Sequence, residues 1–359
     1  MTFRTRTAAV GAVVLACLTG VGAQKEALKN LSRDERMVAI RHAQVWKSTD
    51  IPSLDLKAGP QDVKAFKPEE QVTCEYVMKK VTSTPKFWCE LDAGPPADSV
   101  KVKYNEANGE VYGEVAATRL LWALGFGADR MYPVKVLCRG CSADPISDQR
   151  KRPGERLFDP ATIERPMPGK IMEVEEDSGW SWVELSSVDQ TNGGAPLAHR
   201  DALKLLAAFI QHTDSKPSQQ RLVCLDNVLG EASSGSACAH PFMMLNDVGR
   251  TFGKANLFNK DLPGSVDLKA WSSMSVWKDK TGCVANIPRS VTGSLDNPVI
   301  SEEGRRFLAG LLGQLTDTQI HDLFEVARFT RRQPSTTVDE WVAVFKQKRD
   351  EIATRSCTL

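Results

Sequence analysis

His212-Thr213-Asp214-Ser215-Lys216-Pro217-Ser218-Gln219 is the stretch on which the reading of this 359-residue chain turns. It follows an apolar stripe, Ala202, Leu205, Leu206, Phe209 and Ile210, whose spacing predicts a helix. His, Asp, Lys and Pro at these positions meet by chance in about one chain in a thousand of this length, and an amide side chain follows five residues after the aspartate. The spacing has a chemical reason. Phosphoryl transfer calls for a carboxylate beside the acceptor hydroxyl and, a short loop away, an oxygen donor that holds a divalent cation against the phosphates.

Working outward from that loop, two further stretches stand in the order such chemistry requires. Downstream, the apolar run 242–245 predicts a strand, and Asn246-Asp247-Val248-Gly249-Arg250-Thr251-Phe252-Gly253 follows it. Asp247 would bridge the cation to the phosphates, and Gly249 lets the backbone turn beneath them. Upstream, Val100-Lys101-Val102-Lys103 alternates as a strand does, and Glu114 opens the helix that follows. Lys103 would contact the nucleotide phosphates and Glu114 would hold it in place. Each has a plain structural reading as well: lysines alternate with valines on any half-exposed strand, and a glutamate in a first helical turn suits the helix dipole. Their order along the chain favours the functional one.

These stretches together resemble the secretory-pathway atypical kinases of the Golgi casein kinase type and, more distantly, the protein kinase superfamily. Gly113-Glu114-Val115-Ala116-Ala117-Thr118-Arg119-Leu120-Leu121 is similar to that family's E-x-A-A-x-x-L helix, and Asp247 to Lys254 is similar to its D-N-G-R-G-F-G-K metal loop. By motif order the resemblance covers residues 99–290. It implies an ATP-dependent phosphotransferase with Mg²⁺ or Mn²⁺, acting on a hydroxyl of a protein or glycan. Asp214 would orient the acceptor hydroxyl, Lys216 would steady the transferred phosphate, Asp247 and Gln219 would hold metal, and Lys103 with Glu114 would position the nucleotide. The chain departs from the pattern at three places. Gln219 stands where an Asn or an acidic residue is usual, keeping a carbonyl oxygen but adding a methylene and lacking charge. Residues 80–85 carry no G-x-G-x-x-G, and no A-P-E is present. The alternative expectation is a non-catalytic kinase-like binding module of the cell envelope.

The N-terminus predicts export. Arg4 and Arg6 precede an apolar stretch, 8–18, and the small-residue site Val21-Gly22-Ala23, which places cleavage before Gln24. The apolar run is shorter than a membrane span needs. A lipoprotein at Cys17 is the lesser reading, because Leu15 fits that signal poorly. A formal net charge of +1 with no basic tail or stripe argues against nucleic acid as a partner. Cys74, Cys89, Cys138, Cys141, Cys224, Cys238, Cys283 and Cys357 form an even set beyond Cys17, as an exported chain with disulfides requires. Short separations favour Cys74 with Cys89, Cys138 with Cys141 and Cys224 with Cys238, which leaves Cys283 for Cys357. A redox or zinc role for Cys138-Arg139-Gly140-Cys141 is the alternative, although no second ligand pair at zinc spacing exists.

The expected fold is α+β and two-lobed: a small antiparallel sheet with one helix, then a mainly helical C-terminal lobe. Residues 72–79, 86–91, 99–104 and 132–137 read as strands, and 113–124 as the helix that interrupts them. Residues 144–168, rich in Pro, Arg and Asp, read as an exposed insertion. Stripes at Leu308 to Leu315, Ile320 to Ala327 and Val338 to Phe345 predict further helices. Thr316 with Gln319 offers a capping box, and Thr336 or Thr337 a last cap. The division is 1–23 signal peptide, 24–70 lead-in, 71–175 N-lobe and 176–359 C-lobe. Rival motifs fail on context. Ser83 of S-x-x-K lies between strand-like segments although Lys280-Thr281-Gly282 is formally K-T-G, and Arg130 occupies the third glycine place after Gly125-Phe126-Gly127. Trp180 and Trp182 read as core rather than as a stacking platform.

Overall fold

The computed structural model describes residues 31–62, 64–92, 98–172, 174, 179–226, 238–253, 266–290 and 292–357. The expected signal peptide, Cys17 and Lys254 lie outside them. The chain is a mixed α+β protein, and its first sheet is a closed barrel rather than the small antiparallel sheet expected. Strands β1 (Gln71–Val77), β2 (Lys86–Leu91), β3 (Ser99–Tyr104), β4 (Arg130–Arg139) and β5 (Glu155–Arg165) close in the order β1-β2-β3-β5-β4. The closing pair, β1 with β4, is parallel, with Cys74 opposite Cys138.

Alternation along these strands sends Val72, Cys74, Tyr76, Phe87, Val102, Tyr132, Phe158 and Ile163 inward to a core of their own. Phe87, Tyr104 and Phe158 fill its centre with ring centroids 4.9–5.6 Å apart. Strand β5 corrects the reading of 144–168 as an exposed insertion. Its charged residues and Pro160 hide a half-buried strand whose inward residues, Phe158, Ala161 and Ile163, are few but complete the barrel.

Helix α1 (Arg33–His42) precedes the barrel, and α2 (Glu110–Ala123) lies between β3 and β4. Helix α2 packs within the larger core, with α3 (Leu197–Phe209), α5 (Glu302–Leu312), α6 (Asp317–Val326) and α8 (Val338–Thr354). Two short helices, α4 (Leu268–Ser273) and α7 (Phe329–Arg332), complete the described set. A second sheet, β6 (Lys170–Ile171), β7 (Gln220–Cys224) and β8 (Pro241–Leu245), lies in the order β6-β7-β8. Thr316 and Thr337 each close a capping box, with Gln319 and Glu340 respectively. Trp180 and Trp182 are buried in the larger core, as expected.

Residues 43–60, part of the segment read as a lead-in, pack against the helices. Trp46 Nε1 and Thr49 Oγ1 donate to the carbonyls of Leu124 and Ala123 at the end of α2. Gln319 of α6 donates to the carbonyls of Ile51 and Leu54. This strap therefore joins α2 to α6.

The three disulfides favoured by short separation, Cys74–Cys89, Cys138–Cys141 and Cys224–Cys238, are present, and so is the pair they leave, Cys283–Cys357. They fit an exported protein, and among the described residues no helix is long and apolar enough to cross a membrane.

The helical core is knitted by aromatics. Trp341 of α8, fully buried, lies 4.6 Å from Phe329 and 5.8 Å from Trp271 and Phe324 between ring centroids. Trp341→Ala should therefore cost about 3–5 kcal/mol, as large aromatic truncations in cores do, and denaturant unfolding of the oxidised chain measures it.

Candidate active site

Lys103 is the centre of the site. Strand alternation that turns Val102 into the barrel turns Lys103 out of it, toward α2, and there its side chain is only 1% exposed. Its Nζ donates to Glu114 Oε1 at 2.5 Å, and Glu110 Oε2 lies at 3.0 Å and Asp247 Oδ2 at 4.0 Å. The structure thus brings Lys103, Glu114 and Asp247 together from a strand, a helix and a loop. Burial alone would lower the Lys103 ammonium's pKa, but Asp247, Glu110 and Glu114 outweigh it and hold it well above 10.5. Burial raises the Glu114 carboxyl against the pull of Lys103. Asp247 goes the other way: burial opposes its charge, and the Lys103 ammonium overcomes that and holds it below the usual range.

Glu110 was not singled out from the sequence. It lies one turn before Glu114, so the i, i+4 rule puts both carboxylates on one face of α2, and that was the available signal. Its Oε2 also accepts from Thr84 Oγ1 at 3.0 Å, which ties the loop 78–85 between β1 and β2 to Lys103. Its aliphatic stem rests on Gly249: a Cβ there would stand 2.5 Å from Glu110 Cγ. Gly249 is therefore needed for the close approach of α2 to the loop after β8.

The loop that carries Asp214 adjoins this cluster. The backbone carbonyl of Gln219 accepts from the amides of Asn246 (2.8 Å) and Asp247 (3.1 Å), and the Thr213 amide donates to the Arg250 carbonyl. Within the loop, Asp214 Oδ2 accepts from Lys216 Nζ at 3.2 Å and from Gln219 Nε2 at 2.9 Å. The Gln219 side chain is thus hydrogen-bonded to Asp214, and only its backbone reaches Asp247. His212 is fully buried, its ring 6.2 Å from that of Trp182 between centroids, and burial pushes its imidazole down to about 4.

Asp247, Glu110 and Glu114 are hard oxygen donors of the kind Mg²⁺ and Mn²⁺ take, and Glu114 Oε2 is buried with no hydrogen-bond donor. The donor chemistry fits a divalent cation, with Lys103 as the counter-charge between the carboxylates.

No protein-family model matches the chain, and no curated protein matches it in sequence. Among solved structures it is similar to the Helicobacter pylori proinflammatory kinase CtkA, at 9% identity over 80% of this chain and 95% of that one, with a TM-score of 0.39. A TM-score that low carries no argument about chemistry, so the functional reading rests on the geometry of the site.

Two outcomes follow from these charges. Lys103→Met leaves three carboxylates without their ammonium, and should cost about 3–5 kcal/mol at neutral pH by denaturant unfolding. Part of that loss should return on acidification, as the freed carboxylates take up protons. Asp129, buried where β4 meets β8, accepts from the Met167 amide at 2.7 Å. Burial, then the charge of Glu164, pushes it up to about 7 from 3.8. A raised carboxyl stabilises the fold below its unfolded pKa, and that contribution is lost as pH rises through the folded one. Between pH about 4 and about 7 the stability difference should move in favour of Asp129→Asn, by up to about 1.4 kcal/mol per pH unit. Unfolding curves of both proteins across that range test it.

Proposed function

We propose that the chain is an exported atypical kinase that transfers the γ-phosphate of ATP to a hydroxyl of a protein or glycan. The observation that carries the reading is the fully buried Lys103 ammonium, bound by Glu114 and facing Asp247, beside the Asp214 loop. A structural ion pair needs two partners. Here residues from β3, α2 and the loop after β8 converge, and the loop after α3 adjoins them through the Gln219 carbonyl, each of a residue type that phosphoryl transfer uses.

In this reading residues 71–175 form the N-lobe, residues 176–359 the C-lobe, and the nucleotide lies between them. Lys103, held by Glu114, contacts its phosphates. Asp214 orients the acceptor hydroxyl and accepts its proton, and Lys216, on the same loop, steadies the transferred group. Asp247 holds the divalent cation, with Gln219 as its second oxygen donor. When bound, the cation supplies neutralisation of phosphate charge. The N-terminal signal and the four disulfides support export to a periplasmic or extracellular compartment.

One observation favours a non-catalytic binding module instead. The Gln219 amide is spent on Asp214, which leaves the cation fewer charged donors than an acidic residue there would supply.

Thermal melting of the oxidised chain, residues 24–359, with ATP and Mg²⁺ or Mn²⁺ tests the proposal. Stabilisation that depends on the metal and disappears in Asp247→Ala is expected, because a ligand that binds only the folded form raises the melting temperature. No shift with either metal rejects the nucleotide site. A shift without phosphate transfer to any hydroxyl acceptor, and without ATP hydrolysis that Asp214→Asn abolishes, favours the binding module.

A further inference from the structure

The three carboxylates around Lys103 differ in how far solvent reaches them. The side chain of Glu114 is 3% exposed, that of Glu110 10% and that of Asp247 27%. Glu114 therefore stands behind the ammonium, and an anion approaching Lys103 from solvent meets Glu110 and Asp247 first. Glu110 Oε2 already lies 3.0 Å from Lys103 Nζ, within hydrogen-bond distance. The same oxygen accepts from Thr84 Oγ1 at 3.0 Å. One carboxylate oxygen is thus shared between the ammonium and the loop 78–85.

That loop is a short arch with both feet fixed. Gln149, in the segment between β4 and β5, accepts from the Val81 amide at 3.2 Å and donates to the Val81 carbonyl at 2.9 Å. At the other foot the Pro85 carbonyl accepts from the Tyr104 amide and from Asn108 Nδ2, each at 3.2 Å. Asn108 Oδ1 in turn accepts from the Glu110 amide at 3.2 Å. The backbone on either side of the Thr84–Glu110 bond is therefore held, and the two side chains are what can turn. Glu110 is the first residue of α2, so its side-chain torsions change without a shift of the helix.

We propose that Glu110 and Thr84 form a latch on Lys103: the Glu110 carboxylate takes the place of a nucleotide phosphate oxygen, and nucleotide binds only after that carboxylate turns away. The proposal rests on the nucleotide reading given above and adds its regulation. Three carboxylates already surround one ammonium, so a phosphate that joined them would set a fourth anionic group against a single positive charge. Exchange of phosphate for Glu110 avoids that repulsion. A closed latch weakens the apparent affinity in proportion to the fraction of molecules in which Lys103 is uncovered.

The test compares the oxidised chain with Glu110→Ala, with Glu110→Gln, which keeps the side-chain volume, and with Thr84→Val. The dissociation constant for ATP with Mg²⁺ or Mn²⁺, by isothermal titration calorimetry, should fall about tenfold in Glu110→Ala and about threefold in Thr84→Val. Glu110→Gln should move in the same direction. Thr84→Val should add nothing in the Glu110→Ala background, since the hydroxyl acts through that carboxylate. Unchanged or weaker binding in the Glu110 variants overturns the latch; weaker binding makes Glu110 a support of Lys103 or a ligand of the cation instead. A second readout needs no nucleotide: the rate at which a small acetylating ester modifies Lys103, mapped by mass spectrometry against exposed Lys80. That rate should rise about tenfold in Glu110→Ala, in step with the uncovered fraction. An unchanged rate overturns the latch even where ATP binds. Raised labelling with no ATP bound by any variant rejects the nucleotide reading, and the latch's role with it, so the two failures are told apart. Should the Glu110 variants fail to fold, Thr84→Val, which leaves every charge in place, decides by the same two measurements.

Discussion

A single buried ammonium organises this molecule. A lysine taken out of water must find compensating charge or lose its own, and the cost of an unmatched one runs to several kcal/mol. Lys103 is matched from three directions, by Glu114 and Glu110 on α2 and by Asp247 on the loop after β8. Barrel, helix and loop cannot separate without stranding the charge.

That arrangement requires α2 to be held firmly, and the fold supplies contacts at both ends and in the middle. The strap hydrogen-bonds the carbonyls at its C-terminal end. Arg119, fully buried, donates to the carbonyls of Leu56 and Met131, and burial lowers its guanidinium to about 10. At the N-terminal end Arg328, from the corner between α6 and α7, reaches the carbonyls of Val111 and Ala161. Its own backbone is left-handed, φ 60°, an uncommon conformation for a residue with a side chain. Buried arginines bonded mainly to backbone carbonyls specify position, because a guanidinium's fixed fork accepts few other arrangements.

The disulfides act on different parts of this frame. Two sit inside the barrel: Cys74–Cys89 fastens β1 to β2, and Cys138–Cys141 closes the turn after β4. Cys224–Cys238 closes the segment between β7 and β8, and Cys283–Cys357 returns the C-terminal end to the body of the helical core. The 74-residue separation of the last makes it the one that most restricts the unfolded chain, since loop-closure entropy grows with loop length.

Local pattern alone determined much of this. Strand alternation marked β2 and β3 to the residue, helical spacing marked α2 and α3, and short cysteine separations gave three of the four pairings, because each of these is a short-range property of the chain; the fourth, Cys283–Cys357, followed by elimination. Motif order singled out Lys103, Glu114, Asp214, Lys216, Gln219 and Asp247, since phosphoryl chemistry restricts which residue types follow which. Tertiary structure decided the rest. Closure into a barrel depends on the parallel β1–β4 pair and on β5, whose polar residues and Pro160 mask an inward face of only three apolar side chains. The place of Glu110 beside Lys103, the turn of the Gln219 side chain onto Asp214 and the contact between Cys89 and Cys138 arise between segments distant in sequence. Packing sets those distances, and no local pattern records them.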